Sequence, residues 1–220
     1  MDLTILTTGF TCMLTSTRRL SAFRHLAMAA VLTLLAGLVC APSAVQAAPA
    51  SLEGQQFEDT LVLSDRTLRL NGLGLRGVAW VKAFVAGLYL TAPTRDAVQV
   101  LTMPGPKRLR LKIMLQAPSH ELTRSLTSRI ARHEPESVQL QLGTRLERLA
   151  SHIDSIGDLQ VGDTIDLDFE PDAGTVVRIN ERRIGQPVAG DDLYRAVLKI
   201  FVGEHPADKR MKEGLLRGGV

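Results

Sequence analysis

From Arg108 the chain alternates: Leu109, Leu111, Ile113 and Leu115 are apolar, while Arg108, Arg110 and Lys112 are charged, and only Met114 departs from the pattern. Successive side chains of a strand point to opposite faces, so a period of two predicts a strand with one face on a core. The pattern recurs at Thr164, where Ile165, Leu167 and Phe169 alternate with Thr164, Asp166 and Asp168. Asp172-Ala173-Gly174 then turns the chain into Thr175–Asn180, which predicts a hairpin. Leu61 and Leu63, the turn Ser64-Asp65, and Leu68 and Leu70 predict another. Val78–Leu90, rich in β-branched and aromatic residues, reads as a long strand. Asp166 and Asp168 could be paired catalytic carboxylates, but on the polar side of an alternating strand they read as its solvated face.

Helical periodicity fills the remaining segments. A short helix is expected over Thr94–Leu101, ended by Pro104-Gly105-Pro106. Ser119 is placed to cap a helix to about His133, with Leu122, Leu126 and Ile130 along one side. A second helix follows over Pro135–Ile153, another over Asp191–Val202 with Gly203 as its stop, and a last one after Pro206. Strands joined by hairpins, with helices in pairs between and after them, predict an α+β fold with a mainly antiparallel sheet under a helical layer.

The first residues read differently. Arg18, Arg19, Arg24 and His25 precede an apolar run from Ala27 to Ala41, and small residues follow. This is the order of a signal peptide, with Val45 and Ala47 at the −3 and −1 positions. The run of about 15 residues is short of the ~20 needed to span a bilayer. Residues 1–47 are therefore expected to be cleaved off and 48–220 to form one domain, periplasmic or secreted, with no membrane span. Both cysteines, Cys12 and Cys40, fall in the leader, so packing rather than a disulfide must hold the mature chain. The leader also carries Arg18, Arg19, Arg24 and Asp2, so the 26 basic and 23 acidic residues of the whole chain become nearly balanced. That balance, without aromatic residues interleaved among basic ones, argues against nucleic acid.

Generic chemical motifs are weak. Gly72-Leu73-Gly74-Leu75-Arg76-Gly77 matches a dinucleotide fingerprint, with Asp96 about twenty residues on, but a helix must follow the glycines and a strand is predicted instead. The run reads as a tight glycine turn. His120, His133, His152 and His205 have neither i,i+4 nor i,i+3 spacing with one another, so no metal or other cofactor is expected. No nucleophile elbow appears.

Asn71-Gly72-Leu73-Gly74-Leu75-Arg76 followed by Lys82–Leu90 resembles the chalcone isomerase-like family. Gly105–Leu111 and the closing segment Ala196–Pro206 with Leu215-Leu216 are similar to it as well, so the resemblance spans roughly Phe57 to Leu216. It implies an open-faced β-sandwich, a large mainly antiparallel sheet packed on helices, with a ligand cleft between them. Family enzymes close chalcones to flavanones, whereas fatty-acid-binding members hold a carboxylate in the same cleft. The resemblance places the family's arginine at Arg76. Positions that carry hydroxyls or amides in the enzymes fall on Phe84, Leu122, Arg129 and Ile200. Since one oxyanion donor is typically worth 10²–10³ in rate, this set suits a non-catalytic binder of a small hydrophobic or fatty-acid-like anion. Arg76 is its anchor, and Phe84, Leu122 and Ile200 are its walls. Two alternatives stand beside it: an isomerase or lyase using a hydroxyl such as Tyr89 or Tyr194, and a protein-interaction module whose cleft its own side chains fill.

Overall fold

A computed structural model describes residues 49–219 apart from Ala79, with only the backbone of Val78. The expected leader and its cleavage site at Ala47–Ala48 lie outside the described residues. The strands are β1 (Ala50–Leu52), β2 (Gln55–Phe57), β3 (Thr60–Leu63), β4 (Arg66–Val78), β5 (Val81–Leu90), β6 (Lys107–Ile113), β7 (Ala117–Pro118), β8 (Asp158–Leu159), β9 (Thr164–Glu170), β10 (Gly174–Ile179) and β11 (Arg182–Val188). The helices are α1 (Ala97–Thr102), α2 (Ser119–His133), α3 (Glu136–Asp154), α4 (Asp191–Val202) and α5 (Lys209–Leu215). Seven strands make one sheet in the order β11-β10-β9-β6-β5-β4-β3. Every neighbouring pair in it is antiparallel. The α+β architecture is the expected one.

Parity sets the two faces. Ala86, Leu88 and Leu90 of β5, Leu109 and Leu111 of β6, and Ile165 and Leu167 of β9 are buried on the side covered by helices. Leu126 and Ile130 of α2, Leu149 and Ile153 of α3, and Val197 and Phe201 of α4 close that core from above. Among the described helices, α4 carries the most buried apolar residues. On the other side of the sheet Phe57, Leu68, Leu70, Leu73, Val85 and Tyr89 form a smaller core.

Several local expectations change. Asp166 and Asp168 are not solvated: they are 1% and 0% exposed. Arg108 Nε and Nη2 donate to Asp168 at 2.6 Å each, Arg110 Nε and Nη2 donate to Asp166 at 2.8 and 2.9 Å, and Arg178 Nε donates to Asp168 at 2.9 Å. The register puts Arg108 opposite Asp168 and Arg110 opposite Asp166, so a second layer over this face could be built on charge that pairs across strands. Glu58, which follows β2, accepts from Arg110 Nη1 at 2.9 Å and brings that layer down onto the pairs.

The glycine run is strand, not turn. Asn71–Gly77 lies inside β4, and the chain reverses at Trp80 instead. Here the glycines matter for what they omit. A Cβ on Gly72 would lie 2.8 Å from the Leu215 carbonyl oxygen, and one on Gly74 would lie 2.9 Å from Met211 Cα. Helix α5 thus lies directly on the backbone of β4, and Asn71 Nδ2 donates to Leu215 O at 2.7 Å to satisfy a carbonyl at its end. Ser119 begins α2 but does not cap it: Pro118 holds the cap position, and Ser119 Oγ donates to Asp154 O at 3.2 Å. Helix α3 breaks at Gly143, whose φ of 27° lies in the left-handed region.

Candidate functional site

Between the ends of β4, β5 and β6 and the helices α2 and α4 lies a cleft of about 200 Å³. Its walls are mainly apolar, with Phe84, Leu115, Leu122, Ile200 and Phe201 among them. Arg76 and Phe84 are direct neighbours across the β4–β5 ladder, so both side chains face the helices. Leu122 reaches the cleft from α2 and Ile200 from α4. Four of the five residues singled out from the sequence, Arg76, Phe84, Leu122 and Ile200, are therefore brought together.

Arg129 is not part of that lining. It lines a separate cavity of about 320 Å³ further along the same face of α2, with His133, Glu134, Lys199, His205 and Lys212. Its Nη2 donates to Ala207 O at 3.4 Å, and Ala207 lies on the first cleft. Burial, then the charges of Arg76 and Arg132, pull its guanidinium below the ordinary value. A helix position seven residues beyond Leu122 is about two turns further on, which carries Arg129 past the cleft's end. Ile200 borders both cavities and divides them.

The cleft's polar groups are few. Arg76, 29% exposed, meets Asp208 through Nη1 and Oδ2 at 3.4 Å, longer than a well-formed charge-assisted bond. Asp208 has a second task, since its Oδ1 accepts from the backbone N–H groups of Arg210 and Met211 and caps α5. Ser125 and Glu121 of α2 also line the cleft. The sequence reading missed both. Ser125 is one turn beyond Leu122, and the i,i+3 rule applied from Leu122 would have found it. Glu121 also meets Arg124 Nη1 at 2.9 Å.

Neither tyrosine offered as a stray catalytic hydroxyl reaches this space. Tyr89 lies in the core of the opposite face and donates to Glu58 O at 3.0 Å. Tyr194 donates to Leu167 O at 3.1 Å. Burial is the leading cause that raises both phenols above their ordinary value, so each is a fixed, neutral structural donor. Among the described residues no three histidine, cysteine or carboxylate side chains gather as metal ligands, and no helix is long and apolar enough to cross a membrane. The arrangement offers one cation, Arg76, at a greasy slot whose α2 edge also carries the Glu121 carboxylate and the exposed Ser125.

The fold has a counterpart among solved structures. The crystal structure of an Arabidopsis thaliana fatty-acid binding protein is similar with a TM-score of 0.55 at 21% identity, covering 74% of this chain and 92% of that one. Identity at that level speaks for the fold. No curated protein matches the chain. A model of the family described as chalcone isomerase-like matches residues 49–217, from the first described residue into the last turn after α5. The chain, with its glycine-bearing strand under α5 and its cleft between sheet and helices, belongs to the chalcone isomerase-like family.

Proposed function

We propose that the chain is an exported, non-catalytic binder that holds a small hydrophobic carboxylate in the cleft, its head group on Arg76 and its tail among Phe84, Leu122 and Ile200. The observation that carries this reading is the pairing of an apolar slot with one partly exposed guanidinium whose only carboxylate partner among the described residues sits at 3.4 Å. Ligand sites are commonly apolar walls with a few placed polar anchors. The similar Arabidopsis protein is described as fatty-acid binding, which agrees in ligand class. A cleft of about 200 Å³ is smaller than the ~300–1,000 Å³ usual for small-molecule pockets. A short or medium-chain acid is therefore favoured over a long one. The 1–47 leader, cleaved between Ala47 and Ala48, delivers the domain to the periplasm or beyond.

Two measurements test this. Sequencing the N-terminus of exported protein should read Ala48-Pro49-Ala50-Ser51, and recovery of an uncleaved, membrane-integrated chain contradicts export. Native mass spectrometry of gently purified protein should find a bound acid, and its affinity should fall at least tenfold in Arg76→Met, a loss of about 1.4 kcal/mol. If the wild type binds no acid at micromolar concentration, or if Arg76→Met binds as tightly, the anchor role is wrong. Chalcone cyclisation should stay at background, because Phe84 and Ile200 donate no hydrogen bond where enolate charge would develop.

A further inference from the structure

Four apolar side chains that neither core takes in gather at one end of the sheet. Trp80 stands 88% exposed in the β4–β5 turn, with Val81 beside it at 42%; Leu115 after β6 is 45% exposed and Val161 before β9 is 66% exposed. Backbone hydrogen bonds tie these segments together. Met114 N–H donates to Ala83 O at 2.9 Å, Ile113 N–H to Asp163 O at 2.8 Å, and Gly162 N–H to Ile113 O at 2.9 Å. Val81, Leu115 and Val161 therefore stand at the ends of three adjacent strands, β5, β6 and β9. Leu115 also lines the cleft beside Arg76 and Ala83, so the patch runs into the cleft's mouth. Clustered exposed apolar groups mark contact surfaces.

Area, shape and charge choose the occupant. Covering the four side chains removes on the order of 400 Å² from water, about half of the ~800 Å² per partner in a stable protein interface. A second copy of the chain is thus poorly served. The patch is made of a turn and the ends of three strands, and the cleft it adjoins, at about 200 Å³, is too small to seat a helix or peptide. The two flanking cations are already matched, Lys82 by Glu53 at 2.5 Å and Arg76 by Asp208, and Asp163, two residues from Val161, is an anion held only by neutral donors, so the attraction is apolar rather than electrostatic. Tryptophan is the side chain best suited to a lipid–water boundary, with its large ring and single N–H donor.

We infer that this end of the sheet docks on a phospholipid bilayer, Trp80, Val81, Leu115 and Val161 entering its interface so that the cleft opens onto lipid. What passes through the mouth rests on the carrier reading above, since a hydrophobic acid taken from a bilayer need not expose its chain to water. The docking itself needs no ligand.

Trp80 is the chain's single tryptophan, so its emission reports this patch alone. The protein, purified as cells process it, is mixed with phosphatidylcholine vesicles, plain or carrying doxyl-labelled chains. Emission should shift to the blue with plain vesicles and be quenched by labelled ones, the protein should co-sediment, and added salt should change none of this. Val81→Asp keeps the fluorophore and should weaken partition at least tenfold with an unchanged melting curve, because Val81 is outside both cores. Emission that does not move, with protein left in the supernatant, overturns the inference. So does a blue shift that grows with protein concentration and no vesicles, which would mean a second copy covers the patch. Binding confined to anionic vesicles and released by salt overturns it too. Docking that persists while acid titrations show no binding would remove the carrier reading and leave the docking in place.

Discussion

Asp208 holds two loads with its two oxygens: Oδ1 caps α5 and Oδ2 faces Arg76. A ligand carboxylate must compete with that second oxygen for the guanidinium. Asp208→Asn keeps an oxygen for the cap and removes the competing charge. Affinity for a medium-chain acid should then rise, by about two- to tenfold, while stability falls by less than about 1 kcal/mol, the range of a partly exposed pair. Isothermal titration and urea unfolding read the two effects, and weaker acid binding would mean that Asp208 positions Arg76 rather than restrains it. The sequence showed Arg76, Phe84, Leu122 and Ile200 through family resemblance, and all four face the cleft. Asp208 was not legible, because nothing near Pro206 reveals which strand the last helix will lie on. Arg129 was misplaced for a related reason: an alignment supplies spacing along a helix, not where the cleft ends.

Strands with strict alternation were readable because a period of two has one solution, and β6, β9 and β10 are where the pattern put them. Strand β11, Arg182–Val188, escaped notice: it carries Gly185 and Pro187 and hardly alternates. At the sheet's edge such a strand is tolerated, since a proline there leaves no needed donor missing. The glycines of β4 were misread because glycine marks close approach as often as it marks a turn, and only the position of α5 distinguishes them. That position can be tested. Gly72 has no positive φ to lose on substitution, so any cost of Gly72→Ala must come from the Leu215 and Gly214 carbonyls that its methyl would meet. Backbone cannot rotate away as a side chain does, and a loss of about 1–3 kcal/mol is expected. Amide exchange should quicken first in Lys209–Leu215, and a variant as stable as wild type would mean that α5 can lift off the strand at no cost.

Across the whole molecule, the sheet is covered on both faces by different means. Helices bury one face with aliphatic residues, whereas the other joins a small apolar core to the pairs Arg108–Asp168, Arg110–Asp166 and Arg178–Asp168. If export leaves a mature chain with neither cysteine, no disulfide supports this second face, and the ion network must be satisfied throughout. Desolvated charges cost more than their attraction returns once one partner is missing. Asp168 accepts from two arginines at 0% exposure; Asp168→Ala leaves Arg178 its bond to Glu170 but strips the buried Arg108 of its bidentate partner, with only Asp166 left at 3.4 Å, and should cost about 3–5 kcal/mol. For a domain of this size that corresponds to a melting temperature lower by roughly 6–20 °C. Asp191, paired with Arg195 one turn along α4 and open to solvent, is the control, and Asp191→Ala should cost no more than about 1 kcal/mol. The two should also respond differently to salt, because added ions screen the exposed pair and do not reach the buried one. If Asp168→Ala melts within a few degrees of wild type, water enters beneath the second layer, and the face that the alternation of β9 marked as solvated is wet after all.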